Sequence, residues 1–150
     1  WGTTALAGQP LTMEDVLAET AITYPETYVQ RMTGAEIKAV LEDVCDNLFN
    51  PDPYYQQGGD MVRTGGLSYA CTPTESVGRR VSELRLDDGR PVEAGKSYKV
   101  AGWASVNVQT GKPVWEVFAN HLRSGRSSPA QGSGVALKGV EGNPGIGDEG

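Results

Sequence analysis

The sequence predicts an α+β fold, a mixed β-sheet with hairpins covered by helices. Three observations predict it. A capped segment with apolar residues at helical spacing runs from about Thr33 to Leu48. Short runs rich in β-branched and aromatic residues, bounded by Gly, Pro, Asn or Asp, lie on both sides of it. Strand-like and helix-like segments mix along the chain, and no internal repeat is present.

The elements follow in order. Trp1 to Leu11 has no clear period and reads as a leading loop. Thr12 caps a short helix, with Asp15 three residues on in a capping-box arrangement, and Met13, Val16 and Leu17 share a face. Thr27 to Met32 reads as a strand. Thr33 caps the main helix and Glu36 closes its box. Ile37, Val40, Leu41, Val44 and Leu48 then form a stripe that should pack on a sheet, leaving Glu36, Lys38, Glu42 and Asp46 in solvent. Asn50-Pro51-Asp52-Pro53 stops that helix, because Pro disfavours helix in the residue before it.

Met61–Thr64 and Leu67–Cys71 flank Gly65-Gly66, which predicts a tight hairpin, with Leu67, Tyr69 and Cys71 on one face. Val81 to Leu86 reads as a strand ended by the turn Asp87-Asp88-Gly89. Ser97 to Trp103 reads as another, with Tyr98 and Val100 on one side. Pro113 suits the first position of a last helix, whose apolar face is Val114, Val117, Phe118 and Leu122. Residues 1–123 are therefore expected to form one domain. Residues 124–150, rich in Gly, read as a C-terminal arm with one short strand at 135–137.

Composition narrows the function. A net charge of -6 argues against a nucleic-acid partner, since phosphate binding wants clustered Lys and Arg. No apolar run approaches the ~18 residues that a membrane span needs, so no membrane partner is expected. Trp1 is not an initiator Met, so the N-terminus reads as a boundary, and no signal peptide is visible. Cys45 on a predicted helix and Cys71 on a predicted strand are either two buried, inert thiols or a disulfide. Spacing alone does not decide between them.

A complete catalytic centre is not legible. His121 is the single histidine, and a metal site needs several convergent ligands. A Ser-His-Asp triad would have to use it, with no nucleophile elbow to accompany it. There is no P-loop, and Gly58-Gly59 lacks the partners of a dinucleotide fingerprint. No catalytic residue and no metal ligand are therefore assigned to this chain. The segment from Asn50 to Leu67 stands out instead as aromatic, amide-rich and glycine-rich. Backbone approach at Gly58 and Gly59, amides at Gln56 and Gln57 and the guanidinium of Arg63 suit a small anion. A long ordered loop, held by Tyr packing and turn bonds from Asp60, is the structural alternative.

Several stretches resemble the C-terminal domain of 5'-nucleotidases: Met32-Thr33-Gly34-Ala35-Glu36-Ile37-Lys38 through Glu42, then Gly65-Gly66-Leu67-Ser68-Tyr69, then Tyr98-Lys99-Val100-Ala101. The resemblance covers about residues 10 to 122. Within that superfamily, Ala21-Ile22-Thr23-Tyr24-Pro25, Asp46-Asn47-Leu48-Phe49 through Gly66, and Tyr98 through Trp103-Ala104 are similar to SoxB-type thiosulfohydrolases of the sulfur-oxidising (Sox) system. That resemblance implies a C-terminal substrate-binding domain, inactive alone. The whole enzyme would release sulfate hydrolytically from a cysteine thiosulfonate on a carrier protein.

It further implies an N-terminal metallophosphoesterase domain holding two manganese ions, a sulfur-carrier partner with a cysteine-bearing arm, and a periplasmic location. The substrate-binding residues it implies are Tyr54, Tyr55, Gln56, Gln57, Gly58, Gly59, Asp60, Arg63 and Trp103. Two alternatives stand beside it: the same domain of a 5'-nucleotidase or related phosphoester hydrolase, and a non-catalytic partner-docking module. True 5'-nucleotidases clamp the nucleobase between two aromatic side chains of this domain. Here the first position falls in Ala21-Ile22-Thr23-Tyr24, which has no Phe, and in the second loop, Gln109 to Trp115, only Trp115 offers a substitute. The family's substrate-binding Arg would fall immediately before Trp1.

Overall fold

The computed structural model describes residues 4–20, 23–105, 107, 109–126 and 134–141. The Ala21-Ile22 pair, most of the arm and residues 1–3 lie outside the described residues. The chain divides into two compact units, residues 1–31 with 99–129 and residues 32–98 with 130–150. Mixed sheets with three helices give the α+β class expected. β1 (Tyr28–Thr33) pairs with β4 (Ser97–Gly102), and the chain passes from one unit to the other within these two strands.

In the first unit, α1 (Met13–Glu19) packs on α3 (Val114–Arg123), burying Val16, Val114 and Ala119. Thr12 and Asp15 form the capping box expected of them. Only Val16 of the Met13-Val16-Leu17 face is buried, because a helix of two turns offers one inward position to so narrow a partner. Pro113 caps α3 from outside its first turn, one position earlier than expected. Val117 and Leu122 of the α3 face remain exposed.

In the second unit, α2 (Gly34–Phe49) covers a three-stranded sheet of β3 (Val81–Leu86), β2 (Leu67–Cys71) and β5 (Gly134–Leu137), in that order. Its core is Leu41, Cys45, Tyr69, Cys71 and Val81. Thr33 and Glu36 close the box at the start of α2. The segment leading into β4 satisfies two further helix amides: Gly34 N–H donates to the Lys96 carbonyl (3.1 Å) and Ala35 N–H to that of Ala94 (3.0 Å). Gly34 is required there, since a Cβ would collide with the carbonyl of Glu93.

Two sequence expectations are corrected here. The hairpin about Gly65-Gly66 does not form, and residues 61–64 are not a strand. A strand has two edges, and both edges of β2 are taken, antiparallel by β3 and parallel by β5. The Gly65-Gly66 turn is closed instead by the Thr64 hydroxyl, which donates to the Leu67 carbonyl (2.9 Å). The face of Leu67, Tyr69 and Cys71 is as expected, turned into the core.

The second correction concerns the phase of α2. Val40 is exposed, whereas Glu42, expected in solvent, is 6% exposed. Its two carboxylate oxygens accept from the backbone N–H groups of Val81 (2.8 Å) and Gly78 (2.9 Å). Asp46 is half-buried rather than solvated, and it pairs with Arg80. Apolar spacing cannot reveal such a rotation, because the groups that turn inward are charged and become acceptable only once paired.

Candidate functional site

The site is a loop whose root is fixed and whose tip is open. Its root begins at Arg80, 3% exposed at the start of β3. The guanidinium donates to Asp46 Oδ1 (2.5 Å) on α2, to the Pro73 carbonyl (3.2 Å) and to the Phe49 carbonyl (3.2 Å) at the helix end. A cation at a helix C-terminus also meets the negative end of its dipole. The hydrogen bond from Arg80, then that from Asn50, holds the Asp46 carboxyl below its usual range.

From this anchor the chain leaves α2 through a ladder of side-chain bonds. Asn50 Nδ2 donates to Asp46 Oδ2 (2.9 Å), and Asp52 N–H donates back to Asn50 Oδ1 (2.9 Å). Asp52 Oδ1 accepts from Tyr54 N–H (3.0 Å), capping a 3-10 turn at Pro53–Tyr55. Gln56 Nε2 donates to the Asn50 carbonyl (2.7 Å), and Gly58 N–H to that of Asn47 (3.3 Å). Turn-forming Asn and Asp side chains thus replace secondary structure over this stretch.

Between these bonds the tip is presented to solvent. Tyr54 is 95% and Tyr55 65% exposed, and Gln57, Gly58, Gly59 and Asp60 are exposed as well. Gly58 and Gly59 both take positive φ, 74° and 100°, with nothing near where a Cβ would sit. That leaves the backbone open to close approach by another molecule. Arg63 and Asp60 face each other at 3.9 Å with both side chains almost fully exposed, so the pair is weak.

The structure places eight of the nine expected site residues, Tyr54 to Asp60 and Arg63, on this one loop of the second unit. Trp103 belongs to the first unit, just past β4 and 54% exposed. The following Ala104 takes φ 65°, and its N–H donates to the Tyr24 carbonyl (3.2 Å). A non-Gly residue held in that region is strained. Reading the sequence missed Arg80, Asp46 and Glu42, the groups that fix the loop's root. The spacing of Glu42 and Asp46, four apart on one helix face, was the signal available for them. Among the described residues, no three His, Cys, Asp or Glu side chains gather as metal ligands would. No described helix is long and apolar enough to cross a membrane.

The family model described as "5'-nucleotidase, C-terminal domain" matches residues 2–133. The chain belongs to that family. Among solved structures it is similar to SoxB, a sulfate thiohydrolase from Thermus thermophilus, at 39% identity and a TM-score of 0.74. That match covers 93% of this chain and 27% of the other. A candidate 5'-nucleotidase from Staphylococcus aureus aligns at 16% identity and TM-score 0.61, covering 85% of this chain and 30% of that one. The Haemophilus influenzae NAD nucleotidase NadN aligns at 18% and 0.65, covering 85% and 26%. The two nucleotidase likenesses speak to the fold alone. The chain spans less than a third of each of these proteins. Among curated proteins, none matches.

Proposed function

We propose that this chain is the C-terminal, substrate-binding domain of a SoxB-type thiosulfohydrolase. The observation that carries this reading is the 39% identity to SoxB, sustained over 93% of the chain. In the whole enzyme, an N-terminal metallophosphoesterase domain with two manganese ions would supply the activated water. The described residues here offer no set of ligands for such ions, so this domain's part is to bind and orient. The substrate is a cysteine-linked thiosulfonate on a carrier-protein arm, from which sulfate is released by hydrolysis, in the periplasm.

The loop suits that task. An extended arm needs a groove with backbone and amide partners, which Gln57 and the open backbone at Gly58-Gly59 provide. Tyr54 and Tyr55 add flat, rigid contact area at little entropic cost. Gln56 already donates one N–H to the Asn50 carbonyl, so its share falls to its oxygen and its second N–H.

A second reading, a nucleotide-directed phosphoester hydrolase, draws on Tyr24 and Trp103, two exposed aromatic residues on segments joined by the Ala104–Tyr24 hydrogen bond. One experiment separates the readings. The full-length enzyme is assayed for sulfate release from a carrier-bound cysteine thiosulfonate and for phosphate release from nucleoside monophosphates. Sulfate release dominates if the first reading is right. Efficient phosphate release with no sulfate release overturns it.

A further inference from the structure

The geometry points to a bond that the proposed function does not require: we propose that Cys45 and Cys71 are a dithiol–disulfide pair whose oxidised form locks α2 to β2. The two sulfurs lie 3.1 Å apart, each in contact with the other in the centre of the second unit's core. A disulfide needs about 2.05 Å, so closure asks for roughly 1 Å of approach. The thiols are free here, and both are buried, at 0% and 1% exposure. The neighbouring hydroxyl of Tyr69 is itself buried and without a hydrogen-bond partner.

The bond would join elements 26 residues apart in sequence. The contacts of α2 with the sheet are otherwise those of an apolar core, the Glu42 carboxylate and the bonds of Arg80 to Asp46 and Phe49. Closing that loop restricts the unfolded chain more than the native one.

The chemistry is thiol–disulfide exchange with a small-molecule or protein disulfide as oxidant. One cysteine thiolate attacks a sulfur of that disulfide and expels one thiolate. The second cysteine thiolate attacks the mixed disulfide and expels the other. Two thiols are oxidised by two electrons, the oxidant is reduced to two thiols, and the two cysteine protons end on the departing sulfurs. Burial, and then the hydrogen bond with Cys71, pushes the Cys45 thiol up to about 12, so Cys45 holds almost no thiolate in the folded core. Both side chains are also closed off from an oxidant by burial, so the pair oxidises during folding or local opening. Once formed, the bond is shielded from reductant by the same burial.

The test uses the full-length protein that carries this chain, unfolded with its thiols reduced and then refolded in oxidised and reduced glutathione. Peptide mapping without reduction should recover one cross-linked species joining the Cys45 and Cys71 peptides, two hydrogens lighter than the reduced pair. Hydrogen exchange at the β2 amides should slow at least tenfold on oxidation. Dithiothreitol should cleave the bond only when denaturant is added. Cys45→Ala should lose both the cross-link and the slowing. If that variant does not fold, mapping of the unsubstituted protein decides alone. Recovery of both residues as free thiols, or as separate glutathione adducts, overturns the proposal. A cross-link that leaves β2 exchange unchanged overturns the lock.

Discussion

Helix α2 and the loop that leaves it are adjacent in sequence and opposite in design. The helix hides its chemistry: Glu42 and Asp46 point to partners and Cys45 is fully buried. The loop displays its chemistry: its Tyr, Gln and Gly residues are open, while Asn50, Asp52 and Gln56 tie down the backbone beneath them. The contrast teaches where to seek stability and where to seek recognition. A charged residue with its bonds satisfied inside the fold is structural, whatever its sequence suggests. An exposed aromatic held on a rigid base is available to a ligand.

Substitutions can break that contrast. The largest effect is expected at Arg80. Arg80→Ala removes the three hydrogen bonds that a buried guanidinium makes at the loop's root, which at about 1–1.5 kcal/mol each should cost about 3–5 kcal/mol in denaturant melts. A loss below about 1 kcal/mol would mean that the root is not held there. The pH dependence sharpens the test. The Asp46 carboxyl lies below its unfolded value of about 4, so its contribution is complete above that pH and is lost as pH falls through the lower folded value. Unsubstituted protein should therefore lose more stability between neutral and acid pH than Arg80→Ala does. Equal acid losses in the two would contradict the pairing.

Leu41→Ala is expected to cost about 2–5 kcal/mol, since Leu41 sits in the core with Cys45 and Val81. Val40→Ala, one residue away on the exposed face, should cost under about 0.5 kcal/mol. Thermal or urea melts of the two measure the helix phase directly, and equal effects would mean that the rotation is wrong.

At the loop tip the sign of the comparison reverses. Tyr55→Ala and Gln57→Ala in the full-length enzyme should leave the melting temperature nearly unchanged and lower kcat/KM for carrier-bound substrate about tenfold, or ~1.4 kcal/mol of transition-state binding. Variants that melt early, with normal kcat/KM in the folded fraction, would make the loop a brace.

The fold was legible where local chemistry decides it. Capping boxes at Thr12 and Thr33, alternation through Leu67-Tyr69-Cys71 and the turn at Asp87-Asp88-Gly89 each follow from a few neighbouring residues. The failures have long-range causes. The Gly65-Gly66 hairpin failed because β3 and β5 claimed both edges of β2, and β5 arrives from more than sixty residues away. The phase of α2 failed because Arg80 and the amides of Gly78 and Val81 make carboxylates acceptable inside. The exposed loop was visible by composition, whereas its anchors were not, since their partners lie 31 to 39 residues along the chain.

The smallest effect is expected where the sequence drew attention most easily, at the charges of Arg63 and Asp60. Their side chains are 87% and 88% exposed and 3.9 Å apart, a geometry that salt screens and side-chain entropy opposes. Arg63→Ala and Asp60→Ala should each change stability by under about 0.5 kcal/mol, and a double-mutant cycle should give a coupling near zero. The two should still differ in catalysis if Arg63 meets an anionic substrate. Arg63→Ala should then raise KM severalfold at low salt and less at high salt, with kcat nearly unchanged, because a screened surface charge acts mainly on encounter. Asp60→Ala should leave KM unchanged or lower it. If both variants behave alike at every ionic strength, the charges at this edge of the loop take no part in recognition, and the site contracts to Tyr54, Tyr55, Gln57 and the backbone of Gly58 and Gly59.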